Sequence, residues 1–471
     1  MALSSIFFIF GALPIFLIFY FSLKPKFRIY GILAFSIWFY YVNDSKQLKY
    51  MLAIILWNYV LSLIIAHGSS HFRKTFLVTG IISNTGILFF YKYLSFTYDI
   101  VNRVWGLNIQ AEVHDSMIGL SFFTFTLISY LVDVYQKKVS VPENPVKFAD
   151  YILMFPKILM GPIVRYEEIS DALNAPKIKA NDLGIGAKRF MAGFCKKMII
   201  ADNLALLVKQ VNSVGDFSHA TVASLWIGSI AYSLQLFFDF SGYSDMAIGM
   251  GRMLGFRFKE NFNFPYCCNS FTDFWRRWHI SLSQWFRDYV YIPLGGSRRS
   301  LWRNILNLLI VWILTGIWHG AGYTFIVWGL VYFVMLVIER YMIRPKQLNR
   351  IGRWIWRIVT LLIINFNWVL FSHAEIKEGI KYCLGMIGIY YKNAFFAPAD
   401  SRSLREFGLY IVLGIIFSIP IEKMFVEKIS KNRIASNVTA IVLPIVYIAI
   451  WIWALSFSML GFHNPFMYQK F

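Results

Sequence analysis

Long apolar segments constrain this chain more than any other feature of its sequence. A membrane-spanning helix needs about 20 mostly apolar residues, and about ten segments approach or meet that length. They are Ser5–Ser22, Ile29–Val42, Tyr50–Ala66, Phe76–Tyr93, Met117–Tyr135, Thr221–Phe240, Asn304–Ile338, Trp354–Phe371, Phe407–Ile421 and Val438–Leu455. Charged residues make up only 15% of the 471 residues, against about 25% in soluble domains. The sequence therefore predicts an all-α polytopic membrane protein with about ten to twelve transmembrane helices.

Basic residues dominate the charge: 46 Lys and Arg against 25 Asp and Glu give a net charge of +21. Nucleic acid is one partner that attracts such a charge, but the tendency of Lys and Arg to collect in cytoplasmic loops explains it better. Clusters follow the predicted spans at Lys24–Arg28, Arg73–Lys74, Lys137–Lys138 and Arg340–Arg357. We therefore expect the amino terminus outside, the loop 340–353 in the cytoplasm, and no nucleic-acid partner.

The central segment Phe240–Arg303 differs from the predicted spans because it is polar and yet rich in aromatic residues. Irregular backbone at membrane depth is tolerated only inside protein or beside a wet cavity, so we predict re-entrant or interfacial helices there. Treated as one helix, Asn269–Ser297 has an aromatic stripe and a polar flank, with His279 at the seam. The stripe is Trp275, Trp278, Leu282, Trp285 and Tyr289, and the flank is Arg276, Ser283 and Arg287. Such an element fits a membrane surface, with aromatic rings in the lipid boundary and guanidinium groups in water.

His319 is the strongest catalytic candidate. It lies in the motif "TGIWHGAG", Thr315–Gly322, where three glycines predict a break or a close helix contact within an overlong apolar segment. An ionisable group in such surroundings is costly and marks a functional site by default. An imidazole can take a proton from a hydroxyl at neutral pH and return it to a leaving group. The alternative is a structural histidine bonded across helices, and His279 is either a second functional group or an interfacial anchor.

Other polar groups carry weaker signals. Asp239 and Asp245 either orient a substrate or pair with Arg252 and Arg257, and pairing is favoured because buried charges need partners. The four cysteines have no C-x-x-C spacing, and we expect no metal site. The sequence also lacks a P-loop, a G-x-S-x-G elbow and a dinucleotide fingerprint.

Several motifs in one order carry a family resemblance. They are "SFFTFTLISYLVDVY", "MFPKILMGPIVRYEEI", "CKKMIIADNLA", "FFDFSGYSDMAIGMGRMLGF", "NFNFPY", "DFWRRWHISLSQWFRDYVYIPLGG" and "TGIWHGAGYTFIVWG". Together they resemble the membrane-bound O-acyltransferase superfamily, in the branch that acetylates alginate and peptidoglycan. The similarity runs from about Ser121 to Gly329 and extends more weakly to both termini, including the tail "NPFMYQKF".

The resemblance implies a single acyltransferase domain over 1–471, with a catalytic core at about 117–338 and helices around a central acyl-transfer tunnel. His319 matches the family's essential membrane histidine and His279 its second, more exposed one. The implied reaction, in a bacterial cytoplasmic membrane, most simply moves acetyl from cytoplasmic acetyl-CoA across the membrane, towards a hydroxyl on the outer side, for O-acetylation of an exopolysaccharide or cell-wall glycan. No bound cofactor is expected. Ser372 and His373 stand where relatives commonly carry Arg.

The same resemblance suggests substrate contacts and partners. Arg276 and Arg277 would meet the donor's phosphates, unless they serve as interfacial anchors, while Trp278, Asp239 and Asp245 complete the expected substrate set. A separate extracytoplasmic acetyltransferase is expected, because the chain shows no long hydrophilic stretch to house one. Two rivals stay open: D-alanyl transfer to teichoic acid from an acyl carrier protein, and a non-catalytic transporter of glycan precursors.

Overall fold

The computed structural model describes residues 1–110, 115–389, 394–421, 433–460 and 466–467, without the side chains of residues 218 and 433–440. The tail motif "NPFMYQKF" therefore lies outside the described residues except for Phe466 and Met467. The α-helices are α1 (Leu13–Ser22), α2 (Arg28–Asn43), α3 (Leu48–His67), α4 (Ser70–Lys92), α5 (Leu94–Trp105), α6 (Leu120–Tyr135), α7 (Pro145–Leu153), α8 (Tyr166–Asn174), α9 (Asp182–Cys195), α10 (Asp202–Asn212), α11 (Val222–Met253), α12 (Phe271–Trp275), α13 (Ile280–Phe286), α14 (Leu301–His319), α15 (Tyr323–Ile338), α16 (Arg350–Ser372), α17 (Ile376–Met386), α18 (Pro398–Phe417) and α19 (Arg433–Met459).

The all-α polytopic membrane fold is confirmed, and no strand occurs in the described ranges. By length and apolar composition, six of the described helices qualify as spans, or seven if the bent pair α4–α5 counts as one. The sequence predicts about ten to twelve, a larger number. The difference arises because some apolar runs, such as Phe8–Ser22 and Leu120–Tyr135, form helices of fewer than 18 residues, and because α4 and α5 meet at a 67° bend.

Helix α11 forms the centre of the fold and packs against α9, α10, α16, α17 and α18. Glycines allow α9 and α11 to approach closely: a Cβ on Gly193 would lie 2.4 Å from the Gly242 carbonyl oxygen. Helix α11 also runs to Met253, well past Phe240, where the sequence predicts re-entrant structure to begin. That boundary is wrong, because the polar residues of this stretch are paired inside the protein and need no break in the helix.

The first three basic clusters lie at one face of the molecule. Arg73, at the start of α4, donates to the carbonyl of Tyr135 at the end of α6 (2.7 Å). Asn144, which follows the third cluster, donates to the hydroxyl of Tyr30 beside the first cluster (3.2 Å). Loops that lie far apart in the sequence therefore meet at one end of the helix bundle.

The fourth basic cluster begins at the same face of the molecule. The Tyr289 hydroxyl donates to Asp133 near the end of α6 (2.7 Å). Arg340, which follows α15, donates to the Tyr291 hydroxyl (3.2 Å). The amino terminus lies at the opposite end, where its ammonium group donates to Asn43 (2.5 Å). This arrangement fits the orientation in which the basic face is cytoplasmic.

We predict that Gln347→Cys is labelled only from the cytoplasm and that Ser213→Cys is labelled only from outside. Both positions are exposed. Gln347 lies just before the start of α16, and Ser213 lies near Phe217, which packs against His373 at the end of α16. The helix has 23 residues and is about 35 Å long. Labelling of intact cells with a membrane-impermeant maleimide measures the sidedness, after replacement of the four native cysteines. Labelling of Gln347→Cys from outside would reverse the orientation.

Candidate active site

A break between two apolar helices creates the position of His319. Helix α14 ends at His319, Gly320 and Gly322 are extended, and α15 begins at Tyr323. The predicted break in "TGIWHGAG" is therefore confirmed. The two helices pack closely, since a Cβ on Gly316 would lie 2.5 Å from the Phe325 carbonyl oxygen. Small residues at such crossings let helix backbones approach one another within a membrane.

Aromatic rings enclose the His319 imidazole. Its ring centroid lies 4.8 Å from that of Trp328, 4.9 Å from that of Trp318 and 5.3 Å from that of Phe371. The residue is 1% exposed. An imidazole in this setting is shielded from bulk water, which strengthens its electrostatic interaction with any substrate that reaches it.

The segment Asn269–Ser297 is not one continuous helix, so the stripe and flank drawn for a single helix do not describe it. It forms two short helices, α12 and α13, separated by a turn at 276–279. The expected lipid-facing position of its tryptophans is also wrong. Trp275, Trp278 and Trp285 are buried in the protein core, where Trp278 lies 5.0 Å from the Trp368 ring. The three indoles thus build the interior wall beside the histidines.

His279 occupies that turn in a left-handed backbone conformation, with φ 43°. Asn261 holds the turn from both sides. Its carbonyl accepts from Ile280 N–H (2.9 Å), and its side-chain oxygen accepts from the Ser281 N–H and hydroxyl (3.1 and 2.9 Å) and lies 3.4 Å from His279 Nδ1. A strained conformation outside glycine persists only where its surroundings fix it, and such sites cluster in functional centres.

His279 is as buried as His319, so its expected greater exposure is wrong. Burial lowers the pKa of His279 to about 3, and the ring is therefore neutral near pH 7. The Trp318 ring contacts both imidazoles, with centroid distances of 5.9 Å to His279 and 4.9 Å to His319. The structure thus brings the two predicted histidines together around one indole.

A cavity of about 1300 Å³ opens beside α12. It exceeds the range of about 300–1,000 Å³ that is common for small-molecule sites. Nine basic side chains line it, against two acidic ones. The basic residues are Arg276, Arg277, Arg287, Arg340, Arg344, Lys346, Arg350, Arg353 and Arg357.

The two acidic groups of the cavity are already engaged. Glu339 accepts from the N–H groups of Phe271 and Thr272 (2.7 and 3.0 Å) and anchors the start of α12. Asp273 pairs with Arg277 (2.9 Å). Arg276 is exposed and forms no ion pair with a described carboxylate. The cavity therefore presents a strongly positive surface, to which Arg276 contributes more freely than Arg277.

The cavity has an apolar side, which reaches the helix that carries His319. Thr315 lines that side, and because Thr315 precedes His319 by four residues, about 6 Å along α14 separates them. Trp275 and Trp312 also line it, with ring centroids 4.8 Å apart. Trp328 continues the wall from Trp275 (5.7 Å) to His319 (4.8 Å). The basic cavity and the buried imidazole are thus about one turn of α14 apart, and packed indole rings lie between them.

Asp239 and Asp245 are paired, but with partners other than the predicted Arg252 and Arg257. Asp239 pairs with Lys197 (2.6 Å), which also pairs with Asp202. Asp245 pairs with Arg189 and Lys196, both at 2.6 Å. The predicted arginines instead bind Asp182, at 3.2 and 2.8 Å. The sequence could not distinguish these partners, because α9 and α11 meet only in the folded chain.

Ser372 and His373 end α16 beyond the aromatic cluster. The Ser372 hydroxyl and His373 Nδ1 lie 2.8 Å from the Val369 carbonyl, and the His373 ring packs between Phe217 and Tyr382 (5.3 and 5.4 Å). These contacts satisfy a terminal helix carbonyl. In this structure the two residues therefore serve as a helix cap and a packing contact.

Three features of the site are missed by the sequence reasoning. Asn261 lies in the motif "NFNFPY", which carries part of the family resemblance, but nothing else in the sequence indicates its contact with the His279 turn. The contribution of Arg340–Arg357 to the cavity is hidden, because a basic loop after a span is explained by orientation alone. Lys92 contacts the last turn of α14 across 226 residues of sequence, and no local pattern indicates that contact.

Comparison with known proteins identifies the class. The profile of the membrane-bound O-acyltransferase family matches residues 89–377. A probable alginate O-acetylase, AlgI, of Pseudomonas aeruginosa is 38% identical over 386 residues, which cover 80% of this chain and 73% of that protein. The peptidoglycan O-acetyltransferase of Helicobacter pylori is 33% identical over 425 residues (81% and 79%). The teichoic acid D-alanyltransferase of Bacillus subtilis is 28% identical over 294 residues (58% and 73%).

The chain belongs to the membrane-bound O-acyltransferase family and is an O-acyltransferase, as its motifs predict. The transporter interpretation is thereby replaced by an enzymatic one. The matched region contains His279, His319 and the basic cavity.

We predict that Gly316→Ala lowers the thermal stability of the detergent-solubilised protein by several degrees. The added methyl group would meet the Phe325 carbonyl at 2.5 Å and force α14 and α15 apart, at a typical cost of about 1–3 kcal/mol. Gly86→Ala is the matched control, since its Cβ would meet nothing within 4 Å. Equal melting temperatures for both variants would contradict the close crossing.

Proposed function

We propose that this enzyme moves acetyl from cytoplasmic acetyl-CoA to an acceptor hydroxyl on the outer side of a bacterial cytoplasmic membrane, for O-acetylation of an exopolysaccharide or cell-wall glycan. The observation that carries the proposal is the basic cavity, whose apolar side lies about one helical turn from His319. The relatives of greater identity are named for acetylation of alginate and of peptidoglycan, and the D-alanyltransferase is less similar.

The cavity fits a phosphate-bearing thioester. Coenzyme A has a phosphorylated nucleotide at one end and a thioester at the other, joined by a slender pantetheine arm. Guanidinium groups bind phosphate oxygens with paired, charge-assisted hydrogen bonds. With the nucleotide near Arg276 and Arg340 at the basic opening, the arm would extend along the apolar side past Thr315 towards His319.

His319 would act as the general base. The imidazole takes the proton of the acceptor hydroxyl, the hydroxyl oxygen attacks the thioester carbonyl carbon, and the carbon–sulfur bond breaks. The proton then passes to the departing thiolate. His279 would hold the thioester across the Trp318 ring, in the orientation that Asn261 gives it. Exclusion of water by the aromatic wall limits loss of acetyl to hydrolysis.

The remaining predicted residues have supporting roles in this proposal. Trp278 lies behind His279 in the indole wall. Asp239 and Asp245 act through their ion pairs, which hold α11 against neighbouring segments. A separate extracytoplasmic acetyltransferase would complete the transfer to polymer, since the described residues contain no soluble domain. The rival donor is D-alanyl on a carrier protein, whose phosphopantetheine arm would enter the same cavity.

We predict that Arg276→Ala raises the KM for acetyl-CoA about tenfold while kcat changes little, because one charge-assisted hydrogen bond to phosphate is lost. Initial rates of acetyl transfer in inside-out membrane vesicles, measured against acetyl-CoA concentration, provide both constants. Arg402→Ala is the matched control, because Arg402 is exposed near the start of α18 and lies outside the cavity. A wild-type KM in Arg276→Ala would remove Arg276 from the donor site.

We predict that His319→Gln lowers acetyl transfer by about a hundredfold to ten-thousandfold, because glutamine cannot accept and release a proton near neutral pH. His279→Ala should leave residual activity. Mass spectrometry of envelope glycans measures the acetylation, at matched protein levels in the membrane. His71→Gln, on the exposed first turn of α4, is the control. Wild-type acetylation in His319→Gln would make His319 structural.

A further inference from the structure

The bend between α4 and α5 contacts the helix end that carries His319. The two helices meet at Tyr93 with an angle of 67°. The Lys92 ammonium group donates to the Trp318 carbonyl, and the Tyr93 hydroxyl donates to the Ile317 carbonyl (2.8 Å). The two donors are consecutive in the sequence and reach neighbouring carbonyls of one helix end.

These contacts satisfy backbone groups that a helix end leaves open. The last four carbonyls of an α-helix lack partners within the helix, and its last turn is where fraying begins. Ile317 and Trp318 directly precede His319, the final residue of α14. Donors from another helix thus fix the backbone that carries the imidazole.

A charged donor suits this place better than a neutral one. The structure shows no carboxylate of the described residues within ion-pair distance of Lys92. The carbonyl end of a helix carries partial negative charge, which favours a cation there. Lys92 also donates to the Ser121 hydroxyl (3.3 Å), and Trp318 Nε1 donates to the Ser121 carbonyl (3.3 Å). Lys92 therefore joins the ends of three helices at one point.

The far side of the break is held by the same bend. Phe96 of α5 packs edge-on against Tyr323, the first residue of α15, with ring centroids 5.1 Å apart. The connection 320–322 is thus fixed on its α14 side by Lys92 and Tyr93, and on its α15 side by Phe96. A displacement of about 1 Å of a catalytic group can cost about a hundredfold in rate.

From this geometry we propose that Lys92 and Tyr93 are positioning residues, which hold the last turn of α14 so that His319 stays aligned with the thioester. The inference rests on the proposed function, because it requires His319 to be the base. It gives the α4–α5 bend a role in kcat and none in donor binding, since no residue of α4 or α5 lines the donor cavity and its basic side chains lie on other segments.

Acetyl transfer in inside-out vesicles tests the proposal with Lys92→Met, Lys92→Arg and Tyr93→Phe. We expect Lys92→Met to lower kcat about tenfold to a hundredfold with the KM for acetyl-CoA unchanged, and Lys92→Arg to restore most of the rate. Tyr93→Phe should lower kcat several-fold. Tyr20→Phe is the matched control, because the Tyr20 hydroxyl likewise donates to a helix-end carbonyl, that of Leu254 (2.8 Å), on the opposite face.

Several outcomes would overturn the proposal. A kcat within twofold of wild type in Lys92→Met would do so, as would an equal loss in Tyr20→Phe, which would indicate general destabilisation. If Lys92→Met fails to reach normal membrane levels, Tyr93→Phe decides, since it removes a single hydroxyl. An inactive wild type would instead count against the proposed acetyl-CoA reaction, so the two failures are distinguishable.

Discussion

The close crossing of α14 and α15 determines the position of His319, at the centre of the proposed active site. Gly316 lies against the Phe325 carbonyl, and Gly329 lies equally close to the Trp312 carbonyl. Because the helices approach so closely, the connection between them stays short and His319 lies at its start, under the surrounding indoles. A larger residue at either glycine would separate the helices and open the site to water or lipid.

Charge is distributed unevenly around this crossing. The cytoplasmic end, in the orientation favoured by the basic loops, carries the large cavity with nine basic side chains, whereas the region around the histidines is aromatic. In the proposed reaction, a phosphate-rich donor would be attracted to the basic cavity, and its small acyl end would enter the aromatic region. The bend between α4 and α5 then fixes the helix end at which the acyl group would meet the acceptor.

Sequence patterns predict the parts of this structure that depend on local composition. The apolar runs indicate a polytopic helical protein, and the glycines around His319 indicate the break. Periodicity fails at Asn269–Ser297, because His279 adopts a left-handed conformation in a turn that contacts from Asn261 hold. The partners of Asp245 and the target of Lys92 likewise depend on which helices meet, and no spacing within one segment encodes that.

In the reaction proposed above, donor and acceptor reach His319 from opposite faces of the membrane. Sealed vesicles of both orientations, prepared from cells that make the protein and its envelope glycan, test it directly when acetyl-CoA with a radiolabelled acetyl group is added outside them. Labelled glycan is expected in the lumen of inside-out vesicles, and no labelling is expected in right-side-out vesicles until they are permeabilised. Equal labelling of intact vesicles of both orientations would contradict it.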